Sequence, residues 1–495
     1  MKQILCTLSF AVGILSSCSS NLTHSEFFTP VNENTLRAPA YPLVTIDPYT
    51  SGWSMSDQLN ADQVRHWTGK AFPLLGVIRI DGKCYRFMGE EKTPLQSLLP
   101  TAALEKWEAS YTYSQPKGDW TQIQFDDSSW KQGKAAFGTP EMQHLSTTWQ
   151  TPDIWVRRSF EVTDDWNEKE LFLNYSHDDV FELYVNGKEI VNTGHTWKND
   201  VMLELNDEVK ALLKPGKNVI AAHCHNTEGG AYVDFGLSEK MPDATFFTEA
   251  AQQKSAVVMP TQTYYTFECG GVQLDVVFTA PLLIDDLDKM TRPINYLSYQ
   301  VKPLDGSAHD VQIYLEATSS WATNVPGQEV SSMIDQTSNG VTYAKTGTTA
   351  QPILGTRGDD VRIDWGYFYL ASATRPNSSI GIGDFKDMKK AFSKQGFFST
   401  EKIMAPSNSE QSLGYVDNLG KVSSSASGFA MIGYDDIYAI QYYGDNRMAY
   451  WKHDGKVDMN QALDQAASDY VTTLGRCRDL DKKLMKDAYD AGGQQ

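Results

Sequence analysis

The stretch RAPAYPLVTIDPYTSGWSMSDQLNADQVRHWTGKAFPLLGVIRIDGKCYRFMG, Arg37 to Gly89, holds two different textures. Its second half reads as a hairpin. Val77-Ile78-Arg79-Ile80 and Cys84-Tyr85-Arg86-Phe87 are short strand patterns on either side of Asp81-Gly82. Asp-Gly accepts the positive φ angles of a tight type I′ turn. The first half is irregular and rich in Pro, Ser and Thr, and Asp47, Trp53, Asp57, His66 and Trp67 crowd into it. Aromatic faces beside acids and a histidine suit a pocket for a polar ligand. Trp53, Asp57, His66 and Trp67 are therefore the ligand-pocket candidates. The competing reading is a packed sandwich edge with both tryptophans in the core.

Outward from this block the chain stays rich in strands. From about Tyr111 to Glu239 it carries six of its twelve tryptophans, at 120, 130, 149, 155, 166 and 197. Leu171–Tyr175 and Val180–Val185 read as strands, and Asn186-Gly187 reads as a second hairpin turn. Short strands at this spacing imply a sandwich or jelly roll. A second β-rich region follows from about Ala244 to Lys456, with one helix expected over Phe385–Phe392. Leu95–Glu108 reads as a connector, helical after Pro100. Beyond Met459, Leu463, Ala466, Tyr470, Leu474, Cys477, Leu480 and Leu484 recur three or four apart, a helical apolar stripe with Asp458 as N-cap.

Four motifs in order carry a resemblance: the opening block, Phe125–Trp130 (FDDSSW), Ser176–Gly187 (SHDDVFELYVNG) and Ala280–Asp288 (APLLIDDLD). Together they resemble the N-terminal region of bacterial glutaminase A-type proteins, which are secreted or lipid-anchored. Those proteins join β-sandwich modules to a helical toroid. The resemblance implies a mainly β fold, in which a large supersandwich holds an inserted galactose-binding-like jelly-roll module and is followed by a C-terminal helix. It divides the chain into 37–110 (family segment), 111–240 (galactose-binding-like sandwich), 241–457 (supersandwich) and 458–495 (start of a truncated helical domain). The implied reaction is hydrolysis of the glutamine side-chain amide. This chain is expected to supply a non-catalytic β region, because the helical module that would complete the site is missing from it. The alternative is a carbohydrate-binding or glycoside-hydrolase accessory module. A third class is an interaction scaffold.

At 495 residues the chain has room for roughly three domains. Its formal net charge is −19, without a Lys/Arg-rich run, so nucleic acid is not an expected partner. The N-terminus reads as a lipoprotein signal over 1–17, with an apolar core too short to span a bilayer. Leu15-Ser16-Ser17-Cys18 resembles a lipobox, making Cys18 the lipidation site and 18–36 a polar tether. The expectation is a lipid anchor in the bacterial cell envelope, at the outer membrane, and a glutamine or glycan ligand. Cys84, Cys224, Cys269 and Cys477 lie far apart without CxxC spacing, as buried thiols do.

Other clusters read as structural. His223 and His225 share a strand face, but no further ligands follow at metal-site spacing, and neither metal nor cofactor is expected. His177-Asp178-Asp179 suits either sugar hydroxyls or a capped turn, with the turn favoured; Asp178, Asp179 and Trp197 are the sugar-contact candidates. Asp285-Asp286-Leu287-Asp288 reads as a turn, with Arg292 pairing an acid. No GxSxG, Walker, GxGxxG or HExxH motif occurs, and catalytic residues are not identified.

Overall fold

A computed structural model describes residues 24–32, 37–91, 95–162, 166–241, 245–355, 361–373, 375, 377–398 and 402–493. The expected signal peptide and the expected lipidation site, Cys18, lie outside them. Both hairpins form as the sequence predicts. Asp81 and Gly82 take φ of 50° and 90°, and Asn186 and Gly187 take 47° and 93°. The first hairpin, Leu74–Ile80 with Lys83–Met88, is the edge of a five-stranded sheet, where Leu74–Ile80 pairs with His309–Thr318. The opening block thus joins a sheet whose other strands lie more than two hundred residues away.

A nine-stranded antiparallel sheet faces it, running from Gln252–Val258 through Ile294–Pro303 and Ala426–Asp435 to Ile403–Ser407. One apolar core fills the space between them, with Ile78, Ile313 and Tyr415 from the smaller sheet and Phe267, Leu297 and Ile432 from the larger. This is the supersandwich. Ile294–Val301 is buried along its whole length even though Asn295, Ser298 and Gln300 interrupt its apolar residues.

The tryptophan-rich module is a second sandwich of two six-stranded sheets around its own core, which includes Trp149, Leu173, Phe181 and Leu183. Its reach differs from the sequence expectation. Leu95–Leu99 is a strand pairing with Tyr232–Lys240, and Glu108–Thr112 pairs with Asp153–Val162, so the module extends back to Leu95. The helix expected after Pro100 is a single turn, closed by the Leu104 and Glu105 N–H groups on the Thr101 carbonyl. Three residues on, Trp107 must bury its ring and donate to Asp234, which pulls the chain away from a helix.

The expected helix runs over Phe385–Gln395, between an Asp384 N-cap and a left-handed Gly396. The C-terminal stripe is two helices, Met459–Ser468 and Tyr470–Gly492. Asp458 forms a capping box with Gln461. Asp469 breaks the run, because its carboxylate is held by Arg292 and Lys289. The tether reading is corrected over part of its length. His24–Phe28 forms a 3₁₀ turn, and Phe27 and Phe28 are buried in the core shared by the larger sheet and the C-terminal helices. Aromatic side chains gain more from that core than from water.

Candidate functional site

The irregular half of the opening block folds into a two-stranded ribbon, Tyr41–Thr45 with Ser51–Ser54. The ribbon lies on the larger sheet. The Thr45 N–H donates to Asn295 Oδ1 at 2.7 Å, and the Thr263 hydroxyl donates to the Pro42 carbonyl at 2.7 Å. Gly52 allows the approach, since a Cβ there would meet the Trp321 ring at 2.5 Å. A cleft of about 500 Å³ opens between the ribbon and the turns at Met259–Thr263 and Ala280–Leu282. That volume lies in the range of small-molecule sites.

Two of the four pocket candidates line this cleft: Trp53 and Trp67. The Trp67 ring is 53 % exposed, and its indole N–H donates to the Pro48 carbonyl at 2.7 Å. His66 does not line it. The imidazole is fully buried against Phe72, and Nε2 lies 2.9 Å from the same Pro48 carbonyl. A carbonyl can only accept, so Nε2 carries the proton, and Nδ1 accepts from the Thr68 N–H at 3.3 Å. His66 is a positioning residue that holds the turn between the ribbon strands. Asp57 is exposed and pairs with Arg37 at 2.5 Å, away from the cleft.

The turn that His66 and Trp67 hold bears Asp47, which lines the cleft. Its Oδ1 accepts from the Tyr49 and Thr50 N–H groups at 2.7 and 2.8 Å. Burial raises this carboxyl above its ordinary value, against the lowering effect of those two bonds. Nearby, Asp436 is pushed up to about 7 by burial and by Asp435, with Asp47 also contributing. Asp435 is paired with Lys452 at 2.5 Å. Two polar atoms of the lining lack partners among the described residues: the Ser51 hydroxyl, on a residue 5 % exposed, and the Trp53 indole N–H. Sequence reading missed Asp47 and Ser51 as site residues. The available signal was an Asp-Pro turn between two short strands, which is common.

The sugar-contact candidates lie on or next to neighbouring strands of the inserted module. Asp179 is buried and accepts from the Thr227 N–H at 2.7 Å, with its other oxygen 3.8 Å from His195. Asp178 is pushed up to about 6 by burial and by Asp179. Trp197 is 54 % exposed, next to Lys198, which pairs with His177 in register. The His223-Cys224-His225 trio is structural. His223 stacks on Trp155 at 4.6 Å, and both imidazoles sit 2.9 Å from Asp153 Oδ1. The Asp285–Asp288 run ties the C-terminal helix down. Arg476 reaches Asp285 and Asp286, while Arg292 pairs with Asp469. Among the described residues no group of three or more His, Cys, Asp or Glu is placed to hold a metal ion, and no helix is long and apolar enough to cross a membrane. The four described cysteines are free thiols.

Residues 261–487 match a family model described as Domain of unknown function (DUF5127), and residues 12–100 match Domain of unknown function (DUF4964). A 256-residue stretch, 50 % of this chain, is 28 % identical to Glutaminase A of Aspergillus oryzae (strain ATCC 42149 / RIB 40). Over that half the chain is similar to glutaminase A-type proteins. It spans 37 % of that protein's length. Among solved structures, the chain aligns with a glycosyl hydrolase family 2 member from Bacteroides cellulosilyticus DSM 14838. The identity is 10 %, over 56 % of this chain and 34 % of that one, with a TM-score of 0.22. It also aligns with the beta-glucuronidase of Ruminococcus gnavus at 12 % identity, over 59 % and 44 % of the two chains, with a TM-score of 0.22. Superpositions that loose carry no argument about function.

Proposed function

We propose that this chain is the β-sandwich region of a glutaminase-like (glutamine amidohydrolase) lipoprotein, non-catalytic by itself, and that the cleft beside Trp53 and Trp67 is its ligand site. The cleft carries the reading: a concave apolar surface with two aromatic faces and one fixed carboxylate suits a ligand with a polar tip. The lining supports the non-catalytic reading. Hydroxyls of Ser51, Thr45, Thr261 and Thr263 are present, but no His, Lys or Cys lines the cleft among the described residues to activate one. Ammonia release from L-glutamine by the purified chain should equal that of a heat-denatured control. Release that disappears in Trp67→Ala would overturn the non-catalytic reading.

The same proposal places the lipid anchor at Cys18, in the bacterial outer membrane. Metabolic labelling with palmitate should be lost in Cys18→Ser; label retained in that variant would refute it. A second reading, glycan binding by the inserted module, is favoured by the exposed Trp197 ring beside Asp178. Binding on a glycan array that vanishes in Trp197→Ala would support it over the first.

A further inference from the structure

We infer that the cleft beside Trp53 and Trp67 takes its ligand by an ammonium group, and selects amino compounds whose carboxyl group is blocked, as at a peptide N-terminus. This rests on the reading of the cleft as a ligand site and adds the ligand's charge. Asp47 is the one ionisable side chain among the described residues lining the cleft. Its Oδ1 is fixed by the Tyr49 and Thr50 N–H groups, so the carboxylate is in place before a ligand arrives. Further acids lie behind it: Asp47, Asp364, Asp435 and Asp436 all act on the buried Tyr434. Lys452, close to Asp435 and Asp436, is already engaged by Asp435. A negative site of this kind favours a cation.

The aromatic faces point the same way. An ammonium group is attracted to the face of an indole, and the cleft offers Trp53 and Trp67. A free carboxylate meets the opposite situation. No Lys, Arg or His lines the cleft among the described residues, and burying an unpaired carboxylate near Asp47 is costly. Free glutamine is a zwitterion, so its α-carboxylate would be left without a partner; its α-amide keeps the ammonium and removes that charge.

The test is calorimetric titration of the whole chain with L-glutamine α-amide, L-glutamine and N-acetyl-L-glutamine, repeated on Asp47→Asn and Trp67→Ala. Asparagine keeps the carbonyl acceptor for Tyr49 and Thr50, so the turn survives while the charge is lost; thermal melts check the fold. The α-amide should bind best, the N-acetyl compound should not bind, and Asp47→Asn should weaken the α-amide about tenfold or more. Tighter or equal binding of L-glutamine or its N-acetyl derivative would overturn the inference. So would an unchanged affinity in Asp47→Asn while Trp67→Ala abolishes binding, an outcome that leaves the cleft as the ligand site. If Trp67→Ala changes nothing for any probe that binds, or if none of the three binds, both the cleft reading and the ammonium inference fall.

Discussion

His66 shows how a residue can matter to a site without entering it. Its imidazole and the Trp67 indole donate to one carbonyl, that of Pro48, and thereby fix the turn bearing Asp47. Removing the imidazole leaves a void against Phe72 and one fewer donor on that carbonyl. His66→Ala should cost about 2 kcal/mol or more in urea unfolding. A loss within experimental error would mean that Trp67 alone holds the turn. Asp436 makes a pH prediction. Its folded value of about 7 lies above the ordinary 3.8, so the folded chain binds this proton more tightly than the unfolded one. The stability it contributes is full below pH 3.8 and is lost as the pH rises through 7. Asp436→Asn should therefore stabilise the fold more at pH 8 than at pH 5, by about 2 to 3 kcal/mol, and be nearly neutral only below the unfolded value. Equal effects at the two pH values, measured by denaturant unfolding, would show that burial does not control this carboxyl. At this scale the sequence was half legible. Trp53 and Trp67 stood out as aromatic faces crowded among acids and a histidine in an irregular segment, whereas nothing local singled out Asp47 from the other acid of that segment, Asp57.

The C-terminal helix Tyr470–Gly492 is anchored through its first half. Leu474 and Cys477 are fully buried, and Asp481 accepts from the N–H and hydroxyl of Thr261 at the cleft wall, at 2.8 and 2.9 Å. None of the residues from Lys482 to Gly492 is buried. Amide exchange should be slow up to Asp481 and fast beyond it, since helix without a packed face is marginal. Uniform protection along the helix would contradict this picture. Helical period and the Asp458 cap were readable from the sequence. The break at Asp469 was not, because it depends on Arg292 and Lys289, residues about 180 positions away.

The molecule has two large cores, one in the supersandwich and one in the inserted module. Lys70 bridges the two parts, its ammonium donating to the Asn199 carbonyl at 2.9 Å. Separate cores imply separate cooperative units. Leu173→Ala, in the module core, should cost about 3 kcal/mol and lower one of two calorimetric transitions, leaving the other in place. A matching drop in both would show that the two sandwiches unfold together.

The sequence by itself determined the β class, both hairpin turns, the helical C-terminal stretch and the relation to glutaminase A-type proteins. The first three rest on short-range rules: alternation along strands, positive φ at Asp-Gly and Asn-Gly, and three-to-four spacing on a helix; the last rests on motifs that resemble that family. Tertiary structure alone decided that the opening hairpin completes a sheet with His309–Thr318, that the module begins at Leu95, and that Phe27 and Phe28 are core residues. It also divided the four pocket candidates, sending Trp53 and Trp67 to the cleft, His66 behind it and Asp57 to solvent, and bringing Asp47 in. Strand pairing and burial join residues hundreds of positions apart, and no local pattern in the chain encodes which surfaces will meet.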